Sequence, residues 1–336
     1  MRMTTRRTRI AGTGHYVPDR VVTNDELEAV MDTSDEWIRE RTGIRERRFT
    51  DSETTCTDLG VAAARRALDE AGWSEKDVQF IIFATLSPDM YFPGNGVLLQ
   101  SKLGLPGIGA LDVRNQCTGF LYGLSAADAY IRTGMYDRIL LVGSERHSVG
   151  LRMDDRGRDT AVLFGDGAGA VCVEVTDGVD GSFIIRHHLH ADGRYADELC
   201  IRSPGAGTRP WLTREMVDDG SSHPYMNGRE VFRNAVKRFP EVILEALESE
   251  GYTPENVDAV IPHQANQRIT DAVAKRLGLP PEKVISNIEY YGNTTAASIP
   301  IALSEVVKAG TVKRGSLVCL AAFGSGFTWA SSLLRY

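Results

Sequence analysis

Asn115-Gln116-Cys117-Thr118-Gly119-Phe120 joins an apolar, strand-like run, Ile108 to Val113, to a helical stripe in which Phe120, Leu121, Leu124, Ala127 and Ile131 recur. A cysteine at such a junction stands beside the first free backbone N–H groups of a buried helix and the positive end of its dipole. That setting predicts a thiol titrating low, toward the range of roughly 3.5–7.5 seen for activated cysteines, and a nucleophile for covalent catalysis. The competing reading is a small buried hydrophobe, the usual state of a free cysteine. Ile261-Pro262-His263-Gln264-Ala265-Asn266 follows the apolar run Val257 to Ile261. His263 therefore ends a parallel strand, on the edge where α/β sheets carry their sites; a structural histidine is the alternative. Tyr291-Gly292-Asn293-Thr294-Thr295-Ala296 reads first as a helix cap, but an asparagine can also donate to a carbonyl oxygen. Phe323-Gly324-Ser325-Gly326-Phe327 is a glycine-rich hairpin between two apolar runs. It also lets backbone N–H groups come close to a ligand.

Other motifs carry less. Gly165-Asp166-Gly167-Ala168-Gly169-Ala170 nearly matches a dinucleotide fingerprint, but Val171 to Val175 reads as strand where that motif requires a helix. His187, His188 and His190 have no acidic or cysteine partner at metal-ligand spacing, so no metal site is expected. Ser144 and Ser325 lack a G-x-S-x-G elbow. The 336 residues are 42% hydrophobic and 25% charged, with a net charge of −7, which argues against a nucleic-acid surface as the main function. No run approaches 18 apolar residues, so no membrane span is expected. Met1 to Arg9 carries four arginines without an apolar stretch and does not read as a secretory signal. Five scattered cysteines without C-x-x-C suit a reducing cytoplasm.

The elements that must position these residues alternate between strand and helix. Thr8 to Gly14, Val78 to Ala84 and Ile139 to Gly143 read as strands, Cys56 to Ala71 and Gly94 to Leu103 as helices. Val162 to Val175 and Ser182 to His190 read as antiparallel strands closing the first half. The second half repeats the first. Ala67-Leu68-Asp69 through Asp77-Val78 matches Ala246-Leu247-Glu248 through Asn256-Val257 at an offset of 179. Leu103-Gly104-Leu105-Pro106 matches Leu277-Gly278-Leu279-Pro280 at 174, and Ile139 to Val142 matches Leu317 to Leu320 at 178. Interpolation sets Cys117 opposite Asn293, each opening a buried helix toward a common pocket, a ready oxyanion site. The halves are read as 1–180, carrying the cysteine, and 181–336, carrying His263 and Asn293. A Gly-, Pro- and Ser-rich stretch, 191–224, is read as a long loop or small cap. Phe232, Val236, Phe239, Ile243 and Leu247 form a helical stripe that Pro240 should kink.

Cys117, His263 and Asn293 in these motifs, with Thr33-Ser34-Asp35-Glu36-Trp37-Ile38, Arg41-Thr42-Gly43-Ile44, Phe164 to Ala170 and Gly324 to Trp329, resemble the beta-ketoacyl-acyl carrier protein synthase III family over nearly the whole chain. The resemblance implies an α/β thiolase fold of two pseudo-symmetric halves in five layers, α-β-α-β-α, and a homodimer. It implies a decarboxylative condensation that initiates fatty acid synthesis. Cys117 would take an acyl group from acyl-CoA, a substrate and not a cofactor. His263 and Asn293 would then stabilise the enolate from malonyl-acyl carrier protein, and the N–H groups of Cys117 and Ser325 would hold the oxyanion. Carried over by position, Trp37 resembles the residue stacking on the CoA adenine, Arg41 and Arg158 the basic groups at the CoA mouth, and Asn266 the amide beside the pantetheine arm. Phe232 falls among the substrate-binding residues, and Phe92 resembles the aromatic that closes the partner's acyl pocket. Arg233, Arg268 and Lys275 fall where a basic patch meets the acidic carrier protein. Gln116-Cys117-Thr118 in place of Ala-Cys-Ser, Ser325, Arg229 and the long 191–224 stretch depart from the housekeeping pattern. They leave open a specialised relative that takes a longer or unusual acyl donor or acylates an oxygen or nitrogen. A second catalytic cysteine, as thiolases need, is not expected, because Cys319 lies inside a strand run.

Overall fold

The computed structural model describes residues 6–336; residues 1–5 of the arginine-bearing start lie outside the described residues. Five strands form the first sheet: β1 (Arg7–Tyr16), β2 (Phe80–Ala84), β3 (Gly109–Val113), β4 (Arg138–Glu145) and β5 (Gly167–Thr176), in the order β1-β5-β4-β2-β3. Four form the second: β6 (Phe183–Ala191), β7 (Ala259–Pro262), β8 (Leu317–Gly324) and β9 (Thr328–Arg335), in the order β7-β8-β9-β6. β2 runs parallel to β3 and β4, and β7 parallel to β8; the remaining pairings are antiparallel. A parallel bridge from Val260 to Val284 stands where the second sheet would hold its fifth strand.

Period-two alternation then sets the layers. On β4, Ile139 and Leu141 face inward with Ile82, while Leu140 and Val142 face outward with Ile81 and Phe83. On β8, Val318, Leu320 and Ala322 face inward, and Leu317, Cys319 and Ala321 outward. The helices are α1 (Asp35–Thr42), α2 (Cys56–Ala71), α3 (Gly119–Arg132), α4 (Gly228–Glu248), α5 (Gln267–Leu277) and α6 (Ser298–Lys308). α3 and α6 fill the space between the two inner faces. α2 covers the outside of the first sheet, and α4 and α5 the outside of the second. The result is the five-layered α-β-α-β-α arrangement. Helix ends follow local chemistry: Thr55 and Asp58 form a capping box on α2, and α2 and α5 end at Gly72 and Gly278 with φ of 68° and 65°. α4 runs uninterrupted through Pro240.

Three expectations need correction. The offset between β4 and β8 is 179, not 178: inward Ile139 corresponds to inward Val318, and a one-residue slip would put each side chain on the opposite face. The run from Val162 does not start a strand. A helical turn, Arg158–Ala161, comes first, and Asp166 is turned inward to accept hydrogen bonds from Thr50 and Ser148, so pairing begins only at Gly167. The strand over Ser182 to His190 joins the second sheet through β9 instead of closing the first. The 191–224 stretch is a cap with little structure: Leu199–Cys200 pairs with Tyr225–Met226, and Arg214–Asp218 is a short helix.

Candidate active site

One turn geometry occurs twice. Gln116–Thr118 is a single 3-10 turn leading into α3, and Thr295–Ala297 is a single 3-10 turn leading into α6. Gln116, with φ 45°, and Thr295, with φ 46°, are the only non-glycine residues at positive φ among the described residues. Each costs on the order of 1–3 kcal/mol, which surrounding packing must hold in place. The turns superpose at an offset of 179, so the counterpart of Cys117 is Ala296. The expected pairing of Cys117 with Asn293 is therefore replaced: Asn293 precedes its turn and is held by a bridge to Phe164.

Cys117, His263 and Asn293 nevertheless line one cavity of about 1020 Å³, with Thr295, Gly324 and Ser325. Gly324 permits the closest approach. A Cβ there would lie 2.5 Å from the Cys117 Cβ and 2.8 Å from its Sγ. The Ser325 N–H and the N–H of Cys117 itself both point at the thiol, so two donors converge where an oxyanion on an acylated Cys117 would form. The thiol does not titrate low in the resting site. Burial pushes it up to about 12, the charge of Glu145 adds to this, and the two N–H groups oppose it. The helix end is outweighed because the sulfur has lost its water.

His263 is held neutral, its imidazole pushed down to about 3 by burial and then by nearby His147. Its Nδ1 lies 2.7 Å from Ser298 Oγ, and its Nε2 has no protein partner. The Ser298 hydroxyl also reaches Thr295 O at 2.9 Å, an oxygen that already accepts the Ser298 N–H. That single hydroxyl proton can go to either acceptor, so Ser298 accommodates both imidazole tautomers. Asn293 has no such freedom: its Oδ1 accepts the Thr295 N–H at 2.9 Å, which turns the amide NH₂ away as a donor. Glu145, fully buried, accepts from Thr85, from Leu86 and Ser87, and from the Ala296 N–H. Glu145 and His147 went unnoticed in the sequence, where nothing distinguishes them from ordinary residues after a strand.

At the cavity mouth, the Arg41 and Arg158 guanidiniums lie 4.6 and 5.2 Å from the Trp37 ring centroid. Trp37, Arg41, Asn266, Phe232, Arg233 and Arg268 line the cavity; Arg158 stands behind Trp37 and donates to Asp32 O. Asn266 caps α5 and donates to Arg41 O, so its amide ties α1 to α5. Lys275 lies on the exposed face of α5, outside the cavity lining, and Phe92 is 79% exposed, also outside it. Arg229, exposed at the start of α4, lines the mouth as well. Cys319 is sealed against the outer helices, so no second thiol approaches from β8.

Two family models match, one described as 3-Oxoacyl-[acyl-carrier-protein (ACP)] synthase III over residues 111–193 and the other as its C terminal over 247–336. The chain is 47% identical over 330 residues to Beta-ketoacyl-[acyl-carrier-protein] synthase III of Acidiphilium cryptum, covering 98% of this chain and 99% of that one. The crystal structure of 3-oxoacyl-[acyl-carrier-protein] synthase III from Aquifex aeolicus superposes with a TM-score of 0.89 at 45% identity, covering 98% of this chain and 100% of that one. The priming beta-ketosynthase of the R1128 polyketide biosynthetic pathway superposes at 0.88 with 35% identity, covering 99% of this chain and 98% of that one.

Proposed function

The chain belongs to the beta-ketoacyl-acyl carrier protein synthase III family, and on that footing we propose that it condenses an acyl-CoA primer with malonyl-acyl carrier protein, initiating fatty acid synthesis. The observation that carries this reading is the convergence of a thiol, an unpartnered imidazole nitrogen and an outward-turned amide on one cavity. Cys117 attacks the thioester carbonyl, CoA leaves, and its sulfur takes up a proton. Because the resting thiol is neutral, its proton must first pass to a base. His263 serves while Nδ1–H donates to Ser298 and Nε2 is free. In the second half-reaction malonyl loses CO₂, and its thioester oxygen gains negative charge. The Asn293 NH₂ donates to that oxygen, and so does His263 once Ser298 donates to Nδ1 and the proton sits on Nε2. The carbanion then attacks the acyl-cysteine carbonyl, whose oxyanion rests on the N–H groups of Cys117 and Ser325; collapse breaks the C–S bond, releasing 3-oxoacyl carrier protein and the Cys117 thiolate, which takes back a proton.

Trp37, Arg41 and Arg158 suit the nucleotide end of CoA, an aromatic face flanked by cations. Arg233, Arg268 and Lys275, all exposed, suit an acidic carrier protein. Met90, Tyr91 and Phe92, exposed by 50, 60 and 79%, form an apolar patch of the kind a second copy would cover, which supports the homodimer and the reach of Phe92 into its partner. Five unpaired cysteines suit a cytoplasmic setting. The test is intact-mass spectrometry with acyl-CoAs, followed by a malonyl-acyl carrier protein chase. Wild type is expected to load Cys117 and release 3-oxoacyl carrier protein, Cys117→Ala to load nothing, and Asn293→Ala to load but not condense. Normal condensation by Asn293→Ala would overturn these roles.

A further inference from the structure

The chemistry above leaves one buried imidazole unused. His147 lies two residues past Glu145, at the end of β4, and is 8% exposed. It lines the same cavity as Cys117. It is not at the mouth, where Trp37, Arg41, Arg229 and Arg268 stand. Its neighbours are Phe164, with ring centroids 4.8 Å apart, and Thr295, which is 1% exposed. Leu86, whose N–H meets Glu145, lines this inner end too. With CoA entering past Trp37, the inner end is where the acyl chain must lie. A chain of methylenes needs only apolar walls there, and a histidine is a costly way to build one.

The ring has a defined hydrogen-bond direction. His147 Nε2 lies 2.8 Å from Thr295 Oγ1. That hydroxyl has no other hydrogen-bond partner among the described residues, and the ring satisfies its proton when Nε2 is the acceptor. In that arrangement Nδ1 carries the hydrogen. Nδ1 has no hydrogen-bond partner among the described residues, and the ring lines the cavity. The Phe164 contact and the Thr295 bond together fix the ring. Burial keeps the imidazole neutral, pushed down to about 4 despite the opposing charge of Asp166. An acyl chain with only hydrogen at that point leaves this donor unmet.

Resting on the condensing reading above, we infer that His147 is a specificity residue of the acyl end, donating from Nδ1 to an oxygen on the acyl chain. The preferred primer is therefore an acyl thioester bearing a hydroxyl or oxo group, and not its plain alkyl counterpart. A site that hydrogen-bonds its substrate disfavours the analogue lacking the group, because its own polar atom is left unpaired.

The experiment measures second-order loading of Cys117 by intact mass, using matched acyl-CoAs of equal chain length. Within each pair only a hydroxyl or oxo group differs, placed at successive carbons across the series. At the best position wild type is expected to favour the oxygenated member by about tenfold or more. His147→Leu should erase that ratio, and His147→Asn, which keeps a donor, should retain part of it. Equal loading of every pair by wild type would overturn the assignment. So would a ratio unchanged in His147→Leu, or lost equally in His147→Asn. A wild type that loads no acyl group from the whole panel removes the condensing reading, and this one with it.

Discussion

Gly324 offers a sharp test of how the nucleophile is held. It is not glycine for its backbone angles, since its φ is not among the positive ones; it is glycine because Cys117 leaves no room. In Gly324→Ala the new methyl would stand 2.5 Å from the Cys117 Cβ, 2.8 Å from Sγ and 3.4 Å from the Cys117 backbone nitrogen. Carbon atoms prefer separations of about 3.5–4.0 Å. About 1 Å of movement is therefore needed, and it must come from a 3-10 turn or from the end of β8. Overpacking of this kind costs about 1–3 kcal/mol of stability. The larger effect falls on chemistry, because Ser325, the next residue, supplies one of the two N–H groups aimed at the sulfur. Displacing one such donor costs about 10²–10³ in rate. Gly324→Ala should therefore acylate about 10²–10³-fold more slowly in rapid-quench intact-mass assays. Alkylation of Cys117 by iodoacetamide passes through no oxyanion and should slow far less. Acylation within about threefold of wild type would refute this account of the site.

Glu145→Gln should speed iodoacetamide alkylation of Cys117, because the carboxylate charge that helps raise the thiol is gone. Burial lifts the Glu145 carboxyl from 4.5 to about 7, so the folded state binds its proton more readily than the unfolded chain. The resulting stabilisation is full below about 4.5 and is lost as pH rises through about 7. Urea titrations across that window should show a flatter stability profile in the variant; an unchanged slope would be the contrary result. Arg47, 0% exposed, donates to Val22 O, Asn24 Oδ1 and Val162 O. Arg47→Ala strands these buried acceptors and opens a cavity, and should cost about 3–5 kcal/mol in the same titrations.

What the sequence disclosed followed from how local each signal is. Cys56 to Ala71 was readable to the residue because its stripe and its caps are all in one stretch. The alternation of strand and helix within each half was legible, yet the alignment of β4 with β8 in the repeat slipped by one: a run of Ile, Leu and Val buried on both faces carries no mark of which face is which. Cys117, His263 and Asn293 stood out because each sits in a distinctive motif. Their electrostatics did not, since the pKa of Cys117 is decided first by burial and then by Glu145, and neither its packing nor that carboxylate is near it in sequence. His147 was invisible for the same reason. Its significance comes from Thr295 and Phe164, distant in the chain and adjacent only in the fold.

The paired turns make the two halves interdependent. The second turn sits opposite the first with alanine in place of the thiol, and its Ala296 N–H is spent on Glu145, beneath Cys117. Ala296 also presses on the first sheet so closely that Gly143 has no space for a side chain. One copy of the motif presents the thiol while the other packs beneath the sheet that carries it. Neither half made alone would hold a working nucleophile, and cutting the chain near residue 180 would leave a cysteine without a floor and a floor without a cysteine.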